Sequence, residues 1–321
     1  MKLRRRSDAA RRPQPAPPVY LDARSQFAAR YLSGRGLEIG ALHLPLALPP
    51  QAEARYVDRM SAEDLRREYP ELAEWDLTPV DVIDDGETLA TIDDGTQDFI
   101  VANHFLEHCE DPIGTIEGHL RKLRPGGVLF YAVPDKRYTF DFRRPVTPLE
   151  HMIADHERGP QASRRDHYEE WTRLVSEDPG VESAPQETQS EEWLRRRAGE
   201  IESVAYSIHM HVWTQAEFLR LILHCRERFD GAFEIEAAAR QSLEFVVVLR
   251  KRGPLPPPSE ADGSRNGDRD AEARLIELRQ ANQRLRRELD DLSGSASWRL
   301  TKPLRSGKAA LRRARRARER G

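Results

Sequence analysis

Between residues 25 and 250 short apolar runs alternate with amphipathic helical patterns. A chain that alternates strand with helix buries its strands as a mostly parallel sheet covered by helices. Seven runs read as strands: GLEIG at 36–40, RYVD at 55–58, PVDVI at 79–83, DFIVAN at 98–103, GVLFYAVP at 127–134, AFEIEAAA at 232–239 and EFVVVLR at 244–250. The last two are joined by only a short turn, which predicts an antiparallel pair at one sheet edge. The expected fold is therefore α/β, a seven-stranded, mostly parallel, doubly wound sheet.

Helix signals fall between these runs. SAEDLRREYPEL starts on an N-cap serine with an acidic residue three positions later, a capping box. DPIGTIEGHLRKL places Ile113, Ile116, Leu120 and Leu123 on one face before RPGG ends it. TQAEFLRLILHCRERF takes Thr214 as N-cap and buries Phe218, Leu221, Ile222 and Cys225. Residues 140–200 break the rhythm with a polar, aromatic-dotted stretch too long for a simple crossover, as expected of a lid or substrate surface.

Charge divides the rest. The net formal charge of −3 hides basic ends, MKLRRRSDAARRP and KPLRSGKAALRRARRARERG, around an acidic middle. Residues 1–24 read as a basic, proline-rich segment, 25–253 as the folded domain, and 254–270 as a Pro/Gly/charge-rich linker with little to bury. In 271–293 Leu275, Asn282 and Leu289 take one heptad core position and Leu278, Leu285 and Leu292 the other, which predicts a short parallel coiled coil and a homodimer through it. Residues 294–321 form a basic tail suited to an anionic membrane surface. No aromatic residues interleave its final basic run to stack on bases, so nucleic acid is not the expected partner. Cys109 and Cys225 match no metal or redox spacing. With no apolar h-region and no run long enough to span a bilayer, the expected location is the cytoplasm, peripheral to the inner membrane if the tail binds there.

Ligands of an open parallel sheet bind beyond the carboxyl ends of its strands. Strand one ends in Gly40, where the backbone can turn sharply and approach a ligand, with the amides of a following helix start available to it. Strand two ends in Asp58, placed to accept both hydroxyls of a ribose. Strand three ends in DVIDD, offering Asp81, Asp84 and Asp85 to an exocyclic amine, and strand four ends at Asn103 and His104.

The series LEIGA, YVD, DFIVANHFLEH and LRKLRPGGVLFYAVPD resembles the successive motifs of class I S-adenosylmethionine-dependent methyltransferases, over roughly residues 30–250. The resemblance implies that S-adenosylmethionine is the cofactor. Its methionine part would meet Glu38 and the Gly40, Ala41 and Leu42 backbone, its ribose Asp58, and its adenine Asp81 or Asp84. Asn103 and His104 would close the methionine side. The usual glycine–x–glycine loop reads GAL here, with Leu42 in the second glycine's place.

No Asn-Pro-Pro-Tyr-like element follows strand four, which favours an oxygen acceptor. His104, Asp135 and His211 are the candidate catalytic groups. His151 and Asp155, with His156, His209 and His211, also fit a ligand pattern. A hydrogen-bonded pair one turn apart on a polar helix is the ordinary outcome, so no metal is expected. SASWRLTKPLR resembles a stretch in bacterial surface-polysaccharide glycosyltransferases and their companion enzymes, implying a sugar or glycan acceptor and a glycosyltransferase partner. Two alternatives stand beside this reading: a noncatalytic module that lost its cofactor at Leu42, and an RNA-directed methyltransferase using the tail.

Overall fold

In the computed structural model, which describes residues 22–69, 74–175 and 190–255, the seven runs form one sheet. They are β1 (Gly34–Ile39), β2 (Ala52–Asp58), β3 (Val82–Ile83), β4 (Gln97–Asn103), β5 (Leu123–Pro134), β6 (Phe233–Gln241) and β7 (Glu244–Lys251). The order is β3-β2-β1-β4-β5-β7-β6. The first five strands run parallel, and β7 is antiparallel to both β5 and β6, the edge pair expected from the sequence. Strand order reverses between β1 and β4, so the ligand crevice opens there.

The central strands are apolar on both faces because both are covered. Ile100 and Ala102 of β4, with Leu129, Tyr131 and Val133 of β5, pack on one side. There they meet the predicted stripes of α3 (Pro112–Lys122) and α7 (Gln215–Arg228): Ile113, Ile116, Leu120, Phe218, Leu221, Ile222 and Cys225 are all fully buried. Phe99, Val101, Val128, Phe130 and Ala132 face the other side, against Ala28 and Leu32 at α1 (Ala23–Tyr31). Each such side chain contributes roughly 1.5–3 kcal/mol on burial. Both cysteines are buried and free.

Three departures from the sequence reading have local causes. No helix follows β1. Residues 41–51 form a loop, because Pro45, Pro49 and Pro50 remove amide donors and block helical packing; Leu46 and Leu48 of the loop fill the space instead. β3 shrinks to two residues because Asp81 uses its carboxylate to accept the Tyr56 amide at 2.8 Å. Ser61 caps α2 (Ala62–Glu68) as read, whereas Thr214 makes no cap bond to the α7 backbone and instead pairs with Glu217.

The 140–200 insertion contains α4 (Leu149–Arg158), α5 (Gln161–Leu174) and α6 (Glu191–Ser203). Tyr168, Ala198 and Ile201 of α5 and α6 close a small core with Ile208 and Met210, ahead of α7. No described helix is long and apolar enough to cross a membrane. The heptad stretch, the basic tail and most of the linker and N-terminal segment lie outside the described residues.

His119 ties the loop after β3 to the core. Fully buried on α3, its Nε2–H donates to the Gly86 carbonyl at 2.7 Å while its Nδ1 accepts from the Tyr131 hydroxyl at 2.8 Å. Burial pushes its pKa from 6.5 down to about 4, against the Gly86 bond. The folded chain thus refuses a proton that the unfolded chain accepts, and stability is lost as pH falls from about 6.5 towards 4. At pH 5 the loss from this residue is roughly 2 kcal/mol. His119→Gln should flatten the denaturation midpoint against pH by that amount; an unchanged slope would contradict the assignment.

Candidate functional site

At the end of β1, Gly40 adopts φ +65°, and a side chain there would meet nothing within 4 Å. Space is thus open above the loop. Leu42, in the second glycine's place, also takes the left-handed conformation, with φ 47°. That costs a non-glycine residue about 1 kcal/mol. The compensation is visible: Leu42 packs with Met60, Leu65 and Leu77, and its carbonyl accepts the Thr78 amide at 2.6 Å. The glycine geometry is retained without the glycine. Ala41 closes the turn, its carbonyl accepting the Leu44 amide.

Glu38 is 1% exposed, and its Oε1 accepts the Leu46 amide at 2.8 Å while Oε2 has no hydrogen-bond partner. Burial pushes its pKa up to about 7, with the Leu46 bond, the Arg24 charge and the neighbouring Asn103 amide pulling down. Both polar atoms of Asn103 are buried without a well-formed hydrogen bond. Asp58, at the end of β2, accepts only its neighbour's amide, from Arg59 at 2.7 Å, and burial raises it to about 6. Among the described residues no basic side chain forms an ion pair with it.

Strand three does not supply the expected side-chain acceptors. Asp81 is exposed, below the strand end, and bound to the Tyr56 amide. Asp84 is buried, but its carboxylate is occupied by the Thr91 amide and hydroxyl at 2.8 and 2.6 Å and the Asp85 amide at 2.8 Å. Both shape the loop from within. Gly86 beside them is obligatory, since a Cβ there would lie 2.6 Å from Phe105 and 2.7 Å from Ile39.

Beyond β4 lies a second group. His104, at φ 52°, places Nε2 2.7 Å from Glu244, which Arg24 of α1 also holds. His104 and His209 flank Glu107, at 3.9 and 4.0 Å from its Oε1. Glu107 is 1% exposed, with neither oxygen hydrogen-bonded, and burial raises its pKa while the charges of His209 and His104 oppose the rise. His209 Nδ1 is 2.6 Å from Asp141 Oδ2. Burial pushes the Asp141 carboxyl up, but the His209 bond and the Arg144 charge outweigh this and hold it below its usual range. Asp141 and Arg144 thus fix the His209 residue, with its Nε2 on the side of Glu107. The exposed ring of Phe140 lies 4.8 Å from that of His209.

Two candidate catalytic groups are placed elsewhere. Asp135 is fully buried and chelated by the Arg137 amide and guanidinium at 2.6–3.1 Å, so it braces the chain after β5. His211 faces away from the crevice, against His151, His167 and Trp213, and burial with the His167 charge pushes it down to about 3. Sequence reasoning did not single out Glu107 or Asp141, which the structure gathers around His209, the near neighbour of His211. The LEH motif was the available signal for Glu107.

These groups suit the two ends of a sulfonium nucleoside. Glu38 and Asn103 are a buried carboxylate and amide with unused polar atoms, as an amino-acid moiety would need, and the Asp58 carboxylate forms no ion pair among the described residues, as a ribose would need. The methyltransferase-domain family profile matches residues 16–222, more than half of the chain. Solved structures similar to it include an S-adenosylmethionine-dependent methyltransferase from Aquifex aeolicus, with 12% identity, 72% of this chain and 90% of that chain covered, and a TM-score of 0.37. Another is a methyltransferase of Thermotoga maritima described as a possible histamine N-methyltransferase, at 14%, 72% and 88%, with a TM-score of 0.38. The CurJ carbon methyltransferase is 14% identical, with 70% of this chain and only 50% of that chain covered and a TM-score of 0.35. No curated protein matches the chain. By the span of the family match, the chain belongs to the methyltransferase-domain family, with S-adenosylmethionine as its cofactor.

Proposed function

We propose that the protein transfers the methyl group to a hydroxyl oxygen of a small polyhydroxylated acceptor, a sugar or glycan precursor. One observation supports the choice of oxygen: the Asp141–His209 pair, whose Nε2 lies 4.0 Å from the buried Glu107. A hydroxyl must lose its proton as it attacks, and a neutral, carboxylate-oriented histidine is the group that takes it. S-adenosylmethionine supplies a methyl carbon activated by positively charged sulfur, which the oxygen displaces in line. His209 Nε2 receives the hydroxyl proton, Asp141 stabilises the imidazolium, and the buried Glu107 orients the acceptor by accepting a hydrogen bond. Glu38, Asn103 and Asp58 hold the two ends of the cofactor, so alignment contributes much of the rate. The exposed Phe140 ring beside His209 offers an apolar face to a sugar ring. The glycan assignment also rests on the likeness of residues 295–305 to surface-polysaccharide enzymes. The left-handed Leu42 supports a loop that still binds over one that has decayed.

Incubating the full chain with S-adenosylmethionine against nucleotide sugars, free sugars, amines and RNA should yield demethylated cofactor only with the hydroxylated acceptors. Turnover confined to amines or RNA would overturn the oxygen assignment. With the acceptor so found, His209→Gln should lower kcat by about 10²–10⁴-fold and leave cofactor affinity unchanged; an unaltered kcat would sink the role of base. Asp58→Ala should weaken S-adenosylmethionine binding by about 10–100-fold, as expected for losing hydrogen bonds to a charged group. Equal affinity in titration calorimetry would remove Asp58 from the site.

A further inference from the structure

We propose that His151, Asp155, His167 and His211 form a four-coordinate site for a divalent transition metal ion, zinc foremost, that pins the 140–200 insertion to the segment entering α7. His151 and Asp155 lie one turn apart on α4, His167 lies on α5, and His211 precedes α7. His151 Nε2 is 3.1 Å from both His167 Nε2 and Asp155 Oδ2, and His167 Nε2 is 3.8 Å from that same oxygen. With one nitrogen of His211, all four ligand atoms lie within 4.8 Å of one another. Bonds of 2.0–2.1 Å around zinc would set tetrahedral edges of about 3.3 Å, and the separations of 3.1, 3.1 and 3.8 Å among His151, Asp155 and His167 are close to that.

The outer contacts are those of a ligand set. The His211 Nε2–H points to the Glu110 carbonyl at 3.3 Å, which leaves Nδ1 without a proton; that atom is buried and has no hydrogen-bond partner. Asp155 accepts the Ser163 hydroxyl at 2.6 Å through Oδ1, while Oδ2, on a residue 4% exposed, has no well-formed hydrogen bond. Metal-bound imidazoles and carboxylates are held in this way, by the atom that does not face the ion. His151, at 34% side-chain exposure, is the side from which an ion would reach the cluster. Four protein ligands make the site closed, hence structural. It does not depend on the methyl-transfer reading, although His211 is two residues from His209 and the clip would steady that segment.

The test uses the full chain, expressed with zinc in the medium and dialysed against metal-free buffer. Elemental analysis should find about one zinc per chain, removed by a strong chelator with a fall in Tm that added zinc reverses. Cobalt introduced in its place should show the intense visible bands of four-coordinate cobalt(II). His167→Gln should lose the metal while still binding S-adenosylmethionine. The proposal is overturned if the dialysed chain holds less than roughly a tenth of an equivalent and zinc leaves Tm unchanged. It is equally overturned if the zinc persists undiminished in the variant. Should that variant fail to fold, the cobalt spectrum of the unaltered chain decides, since weak six-coordinate bands rule the site out. Cofactor binding is read separately, so failure here leaves the methyltransferase assignment untouched.

Discussion

A single guanidinium, that of Arg144, is the contact on which the acceptor side of the molecule depends. It is fully buried, and it donates to Glu170 at 2.8 Å, Asp141 at 3.0 Å, and the carbonyls of His209 and Met210 at 2.7 and 3.1 Å. Arginine alone presents enough donors in a fixed fork to satisfy two carboxylates and two carbonyls at once. The insertion is mostly polar, and charge holds it alongside the apolar contacts of Met152, Tyr168, Ala198 and Ile201. Here one paired charge joins the turn after β5, helix α5 and the strap before α7. Removing one partner of such a buried pair typically costs 3–5 kcal/mol, because the other charge is left behind.

The same contact sets the chemistry. Asp141 is held ionised beside Arg144 and in turn orients His209, whose own carbonyl the guanidinium fixes from the other side. The cofactor side is held by different means. There the sheet's reversal between β1 and β4 brings Glu38 and Asn103 together, and two residues in the left-handed conformation, Gly40 and His104, turn the chain away from the strand ends. The two halves of the crevice thus have separate supports, one a backbone turn and the other a buried ion network.

Much of this was legible in the sequence, and the rest shows what pattern cannot carry. The strand runs and the α3 and α7 stripes are set by burial, which leaves a periodic trace. Asp58 could be nominated for the ribose because a strand end is a geometric position, readable from the chain. The Asp81 and Asp84 carboxylates hold local amides, as short acidic side chains near a strand end can, and the sequence does not say which competitor wins. The different surroundings of His209 and His211 were hidden for a related reason. Two residues apart in extended chain should share a face, but the amides of Met210 and His211 both donate to the Glu107 carbonyl. The backbone bends there, setting His209 against Glu107 and Asp141 and His211 towards α4 and α5. His167 could be joined to His151 and Asp155 only once the α4–α5 packing was known.

The assignment stands most directly on whether the altered loop binds its cofactor. Titration of the full chain with S-adenosylmethionine, and with its demethylated product, should show one saturable site for each ligand. No detectable heat for either at millimolar concentration would mean that Leu42 closes the site, and that the fold is kept without the chemistry.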